Sequence, residues 1–444
     1  MTFDVDHVSI APLCRLALRV SVVDVLEHTA LWLVCLGAIL TMTTPRIALG
    51  SIHINAGGLL AVSAGGCWVG SWLLAPRRKM MVRGALWPSV ILIVGAGSLA
   101  SGSDKVEVTI GLIELVLLWV LPALFVPNVI STPARIDAFF SCVVAGSLLA
   151  GIANIVQAIR IGMNDGGLPQ VWGAADYLQG YFQASGLIIA VWRLFSATSQ
   201  RRVRGIAMWT FVVGVNTVAL LLTETRGAWL AALTGIVVLG MMWRPRVLVG
   251  VGTLLVAVAL VLSQAAWAAE IRERAQSIFT LDSNLSGFES SLGRLALSIT
   301  ALNMFTSHPL LGVGLKNFAR LMSVYAPPGM PTEYEMGPAH VITPVEGPHN
   351  TYLAILAEVG AFGLLALVAW HLGAIRRLRA QIGKRRPRGQ MARGHAPVLL
   401  ALVAIVAVYN LFFELNQAGT LVFVVVLALA YGSRRSLTDP ATLG

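Results

Sequence analysis

Apolar stretches of roughly bilayer length recur along almost the whole chain, and they constrain its fold more than any other feature. A helix needs ~20 apolar residues to cross ~30 Å of hydrocarbon. Twelve stretches approach this length, at residues 28–44, 52–75, 86–102, 106–126, 136–159, 177–197, 205–222, 226–242, 247–265, 351–374, 396–413 and 417–432. Only 12% of the residues are charged. The sequence therefore predicts an all-α polytopic membrane protein with about twelve transmembrane helices.

Basic residues divide unevenly between alternate loops of this arrangement. The loops on one side hold 22 Lys and Arg residues, eight of them between Arg376 and Arg393, whereas the short loops on the other side hold four. Lys and Arg are enriched in cytoplasmic loops, so both termini are expected in the cytoplasm. We attribute the net charge of +11 to this topology and to contact with the lipid bilayer, and we expect no nucleic-acid partner.

One long segment, residues 266–350, lacks the membrane pattern. It divides the chain into residues 1–265 with helices 1–9, the loop 266–350, and residues 351–444 with helices 10–12. The charge pattern predicts that this loop lies on the external face. Because water-exposed polar groups have few other places to converge, the loop is the expected location of the active site.

Within the loop, apolar residues at three- and four-residue spacing predict an amphipathic helix that ends at His308-Pro309. These residues are Leu292, Leu295, Ile299 and Leu302. A second short helix is predicted from Lys316 to Tyr325, and an irregular cover from Pro327 to Pro348. Asn350 or Thr351 can cap the tenth membrane helix, which would hold His349 at its start.

Three residues on the external face could carry chemistry: Arg226 at the end of the eighth span, Arg294 in the loop, and His349. Arginine forks match the geometry of phosphate, and a lipid tail can occupy a groove between helices. This set therefore suits a lipid-linked phosphate or diphosphate. Each residue also has a structural alternative: Arg226 as an interface anchor, Arg294 in a surface salt bridge, and His349 as an interfacial histidine with satisfied hydrogen bonds.

Two further observations limit the chemistry. Glu114 lies within the fourth span, where an acid is costly, so it either has a functional role or pairs with a polar partner in the bundle. No group of His, Cys and carboxylate residues has the spacing of a zinc or iron site. We therefore expect neither a metal nor another cofactor.

Short motifs follow one another in a recognisable order. They are Thr223-Glu-Thr-Arg226-Gly-Ala, Gly293-Arg294-Leu, His308-Pro-Leu-Leu-Gly-Val-Gly314, His349-Asn350-Thr-Tyr-Leu353 and Glu358-Val-Gly360. In this order and sidedness the chain resembles the O-antigen ligase and polymerase superfamily of bacterial envelope glycosyltransferases, and it is most similar to the O-antigen ligases. The motifs cover residues 223–360.

The resemblance implies a GT-C-like membrane fold in the bacterial inner membrane, with the active site on the periplasmic face. It implies a donor glycan linked to undecaprenyl diphosphate, a lipid A-core acceptor in lipopolysaccharide biosynthesis, and an inverting transfer without metal. On matching positions, His349 would be the general base, and Arg226 and Arg294 would bind the diphosphate. Arg274, together with Arg272, would assist them.

Other functions share parts of this pattern. An O-antigen polymerase or a protein O-oligosaccharyltransferase would use the same donor and motifs with a different acceptor. A transporter or flippase of lipid-linked glycans could also have twelve spans, but it would be expected to show two related halves and ionisable residues near the midplane. Because the polar candidates cluster at one face beside the long loop, a transferase is the preferred interpretation.

Overall fold

The computed structural model describes residues 11–40, 47–49, 52–54, 56–75, 80–100, 104–161, 176–223, 225–243, 291–328, 333–336, 341–344, 347–382, 394–413 and 420–432. Within these ranges the fold is predominantly α-helical. The helices are α1 (Ala11–Leu40), α2 (Ala56–Leu74), α3 (Leu86–Gly97), α4 (Lys105–Leu115), α5 (Leu121–Val129), α6 (Pro133–Ile161), α7 (Asp176–Ser199), α8 (Val203–Leu222), α9 (Arg226–Trp243), α10 (Ser291–Ser307), α11 (Phe318–Tyr325), α12 (Thr351–Ile382), α13 (Ala396–Tyr409) and α14 (Thr420–Ala430). A π-helical segment, Val116–Val120, joins α4 to α5.

Six of the described helices or continuous helical segments are long and apolar enough to cross a membrane. They are Val22–Leu40, Ala56–Leu74, Lys105–Val129, Pro133–Arg160, Val203–Leu222 and Thr351–Ile382. Shorter apolar helices include Arg226–Met242 and Ala396–Tyr409. The chain is thus a multi-pass helical membrane protein. The number of twelve spans and the GT-C-like arrangement stay predictions, and the ninth expected span, 247–265, lies outside the described residues.

Two short antiparallel hairpins amend the all-α prediction. Strands β1 (Ile47–Leu49) and β2 (Ile52–Ile54) form the first, and β3 (Glu333–Met336) and β4 (Val341–Pro344) form the second. The second falls in the segment expected to be irregular. There, two runs containing β-prone Tyr, Val, Ile and Thr flank a four-residue connection that includes Gly337 and Pro338, which is a pattern typical of a hairpin.

The last helices form the centre of the bundle. α13 packs against α7, α9 and α12, and α14 packs against α5. Both α13 and α14 consist almost entirely of apolar residues, as expected for helices surrounded by protein or lipid on every side. Trp370 of α12 and Phe423 of α14 have ring centroids 5.9 Å apart and pack in a T-shaped arrangement. These contacts fix the ends of α12 and α13, which position the candidate site.

α12 is interrupted at Gly360, where φ is +76°. Residues 308–317, here called the docking loop, insert at this break. The amides of Val313 and Gly314 donate to the carbonyl oxygens of Ala357 and Glu358, both at 2.9 Å. The loop thereby occupies backbone acceptors beside the break, and it connects the loop helices α10 and α11 rigidly to the membrane helix α12.

Candidate active site

His349 has a strained backbone that its neighbours hold in place. Its φ is +50°, a left-handed value that is uncommon for residues other than glycine. The next residue, Asn350, caps α12: its Oδ1 accepts from the Leu353 amide at 3.1 Å, and its Nδ2 donates to the Leu411 carbonyl at 3.0 Å. The cap expected here is confirmed at Asn350. Such strain persists only where the surrounding structure determines it, which makes His349 a candidate for function.

The start of α12 is tied to the turn at residues 410–413, which follows α13. The Thr351 amide donates to the Asn410 carbonyl at 2.9 Å, and the Thr351 hydroxyl donates to the Phe413 carbonyl at 2.8 Å. The Tyr352 hydroxyl donates to the Ala407 carbonyl at 3.0 Å. These bonds join the start of α12, next to His349, to the end of α13 and to the 410–413 turn.

Arg294 reaches the same turn from the first turn of α10. Its guanidinium carbon lies 5.9 Å from the centroid of the Phe413 ring, within the range of a cation–π contact. Phe413 in turn stacks on Tyr409, with ring centroids 4.6 Å apart. The positive charge of Arg294 also acts on the His349 imidazole. Arg294 and His349 are 55 positions apart in the sequence, but the fold brings them close enough for their charges to interact.

The environment of His349 favours its neutral form. Burial by surrounding protein atoms, followed by repulsion from the Arg294 guanidinium, lowers the pKa of His349 to about 4. The residue is nevertheless exposed by surface area, so a substrate can reach its imidazole. At neutral pH the imidazole is uncharged, and it can accept a proton from a group that binds beside it.

Arg226 is the first residue of α9, directly after a tight turn from α8. The turn is fixed by the Thr225 hydroxyl, which donates to the Thr223 carbonyl at 2.9 Å, and by the Trp229 indole, which donates to the Leu220 carbonyl at 2.8 Å. The residue after Arg226 is Gly227, and a Cβ atom there would lie 2.7 Å from Phe413 Cε2. Only glycine permits this close approach.

The 410–413 turn is thus the point where the elements carrying Arg226, Arg294 and His349 meet. Sequence reasoning did not identify Phe413 or Tyr409 as part of this region. Tyr181 of α7 also approaches it, with its ring centroid 5.0 Å from that of Tyr409. Aromatic residues near a membrane interface are common, so their identity alone does not separate a site from an anchor. Gly227 is the one feature of the local sequence that indicates close packing of α9 against this turn.

Other candidates lie elsewhere or outside the described residues. Arg274 and Arg272 belong to the segment 244–290, which the structure does not describe. Glu114 accepts from Lys316 Nζ of the docking loop at 2.9 Å. This agrees with the second of its two expected roles, in which it pairs with a polar partner. Among the described residues, no group of three His, Cys, Asp or Glu side chains could hold a metal ion. Metal independence itself stays a prediction.

Residues 206–368 match a family model described as O-antigen ligase. The matched segment contains Arg226, Arg294 and His349, together with the docking loop and the break in α12. The resemblance inferred from the motifs is confirmed for this segment. No curated protein matches the chain.

Proposed function

We propose that this chain, whose residues 206–368 match the O-antigen ligase family model, transfers a glycan from undecaprenyl diphosphate to lipid A-core in lipopolysaccharide biosynthesis. The reaction takes place at the periplasmic face of the bacterial inner membrane. The long loop 266–350, which carries Arg294 and His349, is on that side. The observation that carries the proposal is the strained His349 beside Arg294, both within the family segment.

His349 is the general base in this proposal. The acceptor hydroxyl attacks the anomeric carbon of the donor sugar while the bond from that carbon to the diphosphate oxygen breaks. The hydroxyl proton passes to a ring nitrogen of His349, and the electron pair of the broken bond leaves with the diphosphate. Attack from the face opposite the leaving group inverts the anomeric configuration. The lowered pKa keeps the imidazole neutral at neutral pH, so that a ring nitrogen has a lone pair free for this proton.

Arg226 and Arg294 bind the diphosphate, and Arg274 assists them. Negative charge develops on the leaving oxygens as the glycosidic bond breaks, and guanidinium groups stabilise it with paired hydrogen bonds. Because diphosphate is a good leaving group, these positive charges reduce the need for a general acid. We propose that the transfer requires no metal ion.

Arg294 has two roles in this scheme. Without substrate, its positive charge disfavours protonation of His349. When the anionic diphosphate binds to Arg294, it offsets that charge, so the imidazolium that forms during transfer becomes less costly. The donor thereby raises the proton affinity of the base in the complex where the proton must be accepted.

The proposal is tested with purified protein, undecaprenyl diphosphate-linked glycan and lipid A-core, without nucleotide or added metal. The expected product is lipid A-core that carries glycan, formed in proportion to the diphosphate released. If the glycan is added only to another undecaprenyl-linked chain, the protein is a polymerase. If neither acceptor is modified under conditions where donor binding is demonstrated, the assignment as a ligase or polymerase is wrong.

A further inference from the structure

A cavity of about 600 Å³ lies near the end of α12 that is remote from His349. Its walls are the segment 80–83, Arg377 and Gln381 of α12, and Tyr431 after α14. From Ala361 to Gln381, α12 rises about 30 Å, at ~1.5 Å per residue. The cavity is therefore separate from the candidate active site.

Positive charge in this cavity is uncompensated within the described residues. Arg83 and Arg377 both line it, and none of its lining residues is a carboxylate. Neither guanidinium has an ion pair or hydrogen bond to another described residue. The buried Oε1 position of Gln381 also has no hydrogen-bond partner there. An amide rotated by 180° presents its NH₂ group at that position, so Gln381 can donate to an anion.

The walls of the cavity are held by specific contacts. The Arg377 guanidinium carbon lies 4.7 Å from the centroid of the Tyr431 ring, whose hydroxyl donates to the Trp370 carbonyl at 3.0 Å. On the opposite wall, the Met81 amide donates to Asn128 Oδ1 at 2.9 Å, and Asn128 Nδ2 donates back to the Met81 carbonyl at 3.2 Å. A guanidinium over an aromatic face keeps N–H groups available for an oxyanion.

The sequence has more positive charge next to two of the segments that line the cavity. Arg77, Arg78 and Lys79 directly precede the segment 80–83, and Arg434 and Arg435 follow Gly432. These residues belong to the side that the charge pattern assigns to the cytoplasm, where anionic lipids attract basic segments. Met80 and Val82 are exposed apolar side chains at the same cavity, which suits contact with acyl chains more than with a soluble ion.

We propose that this cavity binds the phosphate headgroup of an anionic membrane lipid, with Arg83 and Arg377 as the binding cations. Basic pockets between membrane helices are suited to such headgroups, because guanidinium groups pair with phosphate oxygens while the lipid chains remain in the bilayer. The site is independent of the transferase reaction, and its occupant needs no chemical change.

The test uses the full-length protein in neutral detergent, with lipid retention measured by native mass spectrometry. Phosphatidylglycerol is compared with phosphatidylcholine, and inorganic phosphate is added as a competitor. Arg83→Gln and Arg377→Gln should each weaken phosphatidylglycerol binding about fivefold, and the double variant about 25-fold. Arg377→Lys should bind less tightly than the native protein and more tightly than Arg377→Gln, because it keeps the charge and loses the fork.

Arg379→Gln is the matched control, because it removes the same charge from an exposed position of α12 outside the cavity. It should bind phosphatidylglycerol with native affinity. An equal loss in this control would mean that general surface charge attracts the lipid, and native affinity in the double variant would exclude the cavity. Displacement of the lipid by inorganic phosphate at equal concentration would assign the cavity to free phosphate and overturn the lipid proposal.

Discussion

The Nζ atom of Lys316 lies 2.9 Å from Oε1 of Glu114, so an ion pair joins the docking loop to α4 across 202 positions of sequence. Lys316 has a φ of +60°, and Leu315 beside it packs onto Gly111 of α4. A Cβ atom at Gly111 would lie 2.7 Å from Leu315 Cβ. The pair thus anchors the loop that inserts at the break in α12.

Removing one partner of this pair should destabilise the protein more than removing both. Glu114→Gln or Lys316→Met removes this ion pair and leaves one of its charges partly buried, which should cost about 1–3 kcal/mol. The double variant should recover part of that loss. Thermal denaturation midpoints of the three variants in one detergent measure the coupling. Equal losses that simply add would show that the pair contributes no coupling energy.

Alanine at Gly312 or Gly360 should disrupt the break in α12. Both glycines have positive φ, and a Cβ atom at either position would lie 2.3 Å from backbone atoms of the opposing segment. Strain and overlap together should cost about 2–5 kcal/mol. Gly214→Ala is the control, because a Cβ there meets no atom within 4 Å and alanine favours the helix. Native midpoints for the Gly312 and Gly360 variants would contradict the described packing.

The charge pattern predicts which side each loop faces. In a variant whose native cysteines are replaced by serine, Ser283→Cys should react with a membrane-impermeant thiol reagent in intact spheroplasts. Gln390→Cys should react only after lysis. Reversed labelling would place residues 266–350 in the cytoplasm and remove the basis for a periplasmic active site.

The acidic limb of the pH profile of kcat/KM should report the pKa of His349. With its pKa lowered to about 4, the native protein should lose kcat/KM only as the pH falls toward that value, because the base acts in its neutral form. Arg294→Gln removes the repulsive charge, so the pKa should rise and the acidic limb should move to higher pH. Arg320→Gln, an exposed charge paired with Asp104, should leave the limb in place. If the acidic limb does not move in Arg294→Gln, the Arg294 charge does not affect the pKa of the base.

Local sequence patterns predicted both helices of the loop but not which face of α10 is buried. The helix expected around Leu292 to Leu302 is present as α10, and the second is present as α11. However, Leu295 and Leu302 are 52% and 45% exposed, whereas the buried face carries Leu297, Ala301 and Met304. α10 has two neighbouring apolar rows, and periodicity cannot decide which one packs against α11 and α12.

The sequence also predicted only part of the candidate site. His349, Arg294 and Arg226 could be selected because their residue types and motif context imply phosphate and proton chemistry. Phe413 could not, because its role depends on contacts with residues far away in the sequence, such as Gly227 and Thr351. Likewise, the strain at His349 arises from hydrogen bonds of its neighbours to the 410–413 turn, which no local pattern contains.

The central claim is that His349 is the general base, and His349→Ala tests it most directly. Donor binding and single-turnover transfer are measured separately on the purified protein, with His308→Ala as a control at an exposed position of the docking loop. Removal of a general base should slow transfer at saturating donor by about 10²–10⁴ and leave donor affinity near native. If His349→Ala instead weakens donor binding while transfer at saturating donor stays near the native rate, His349 is a diphosphate ligand and not the base.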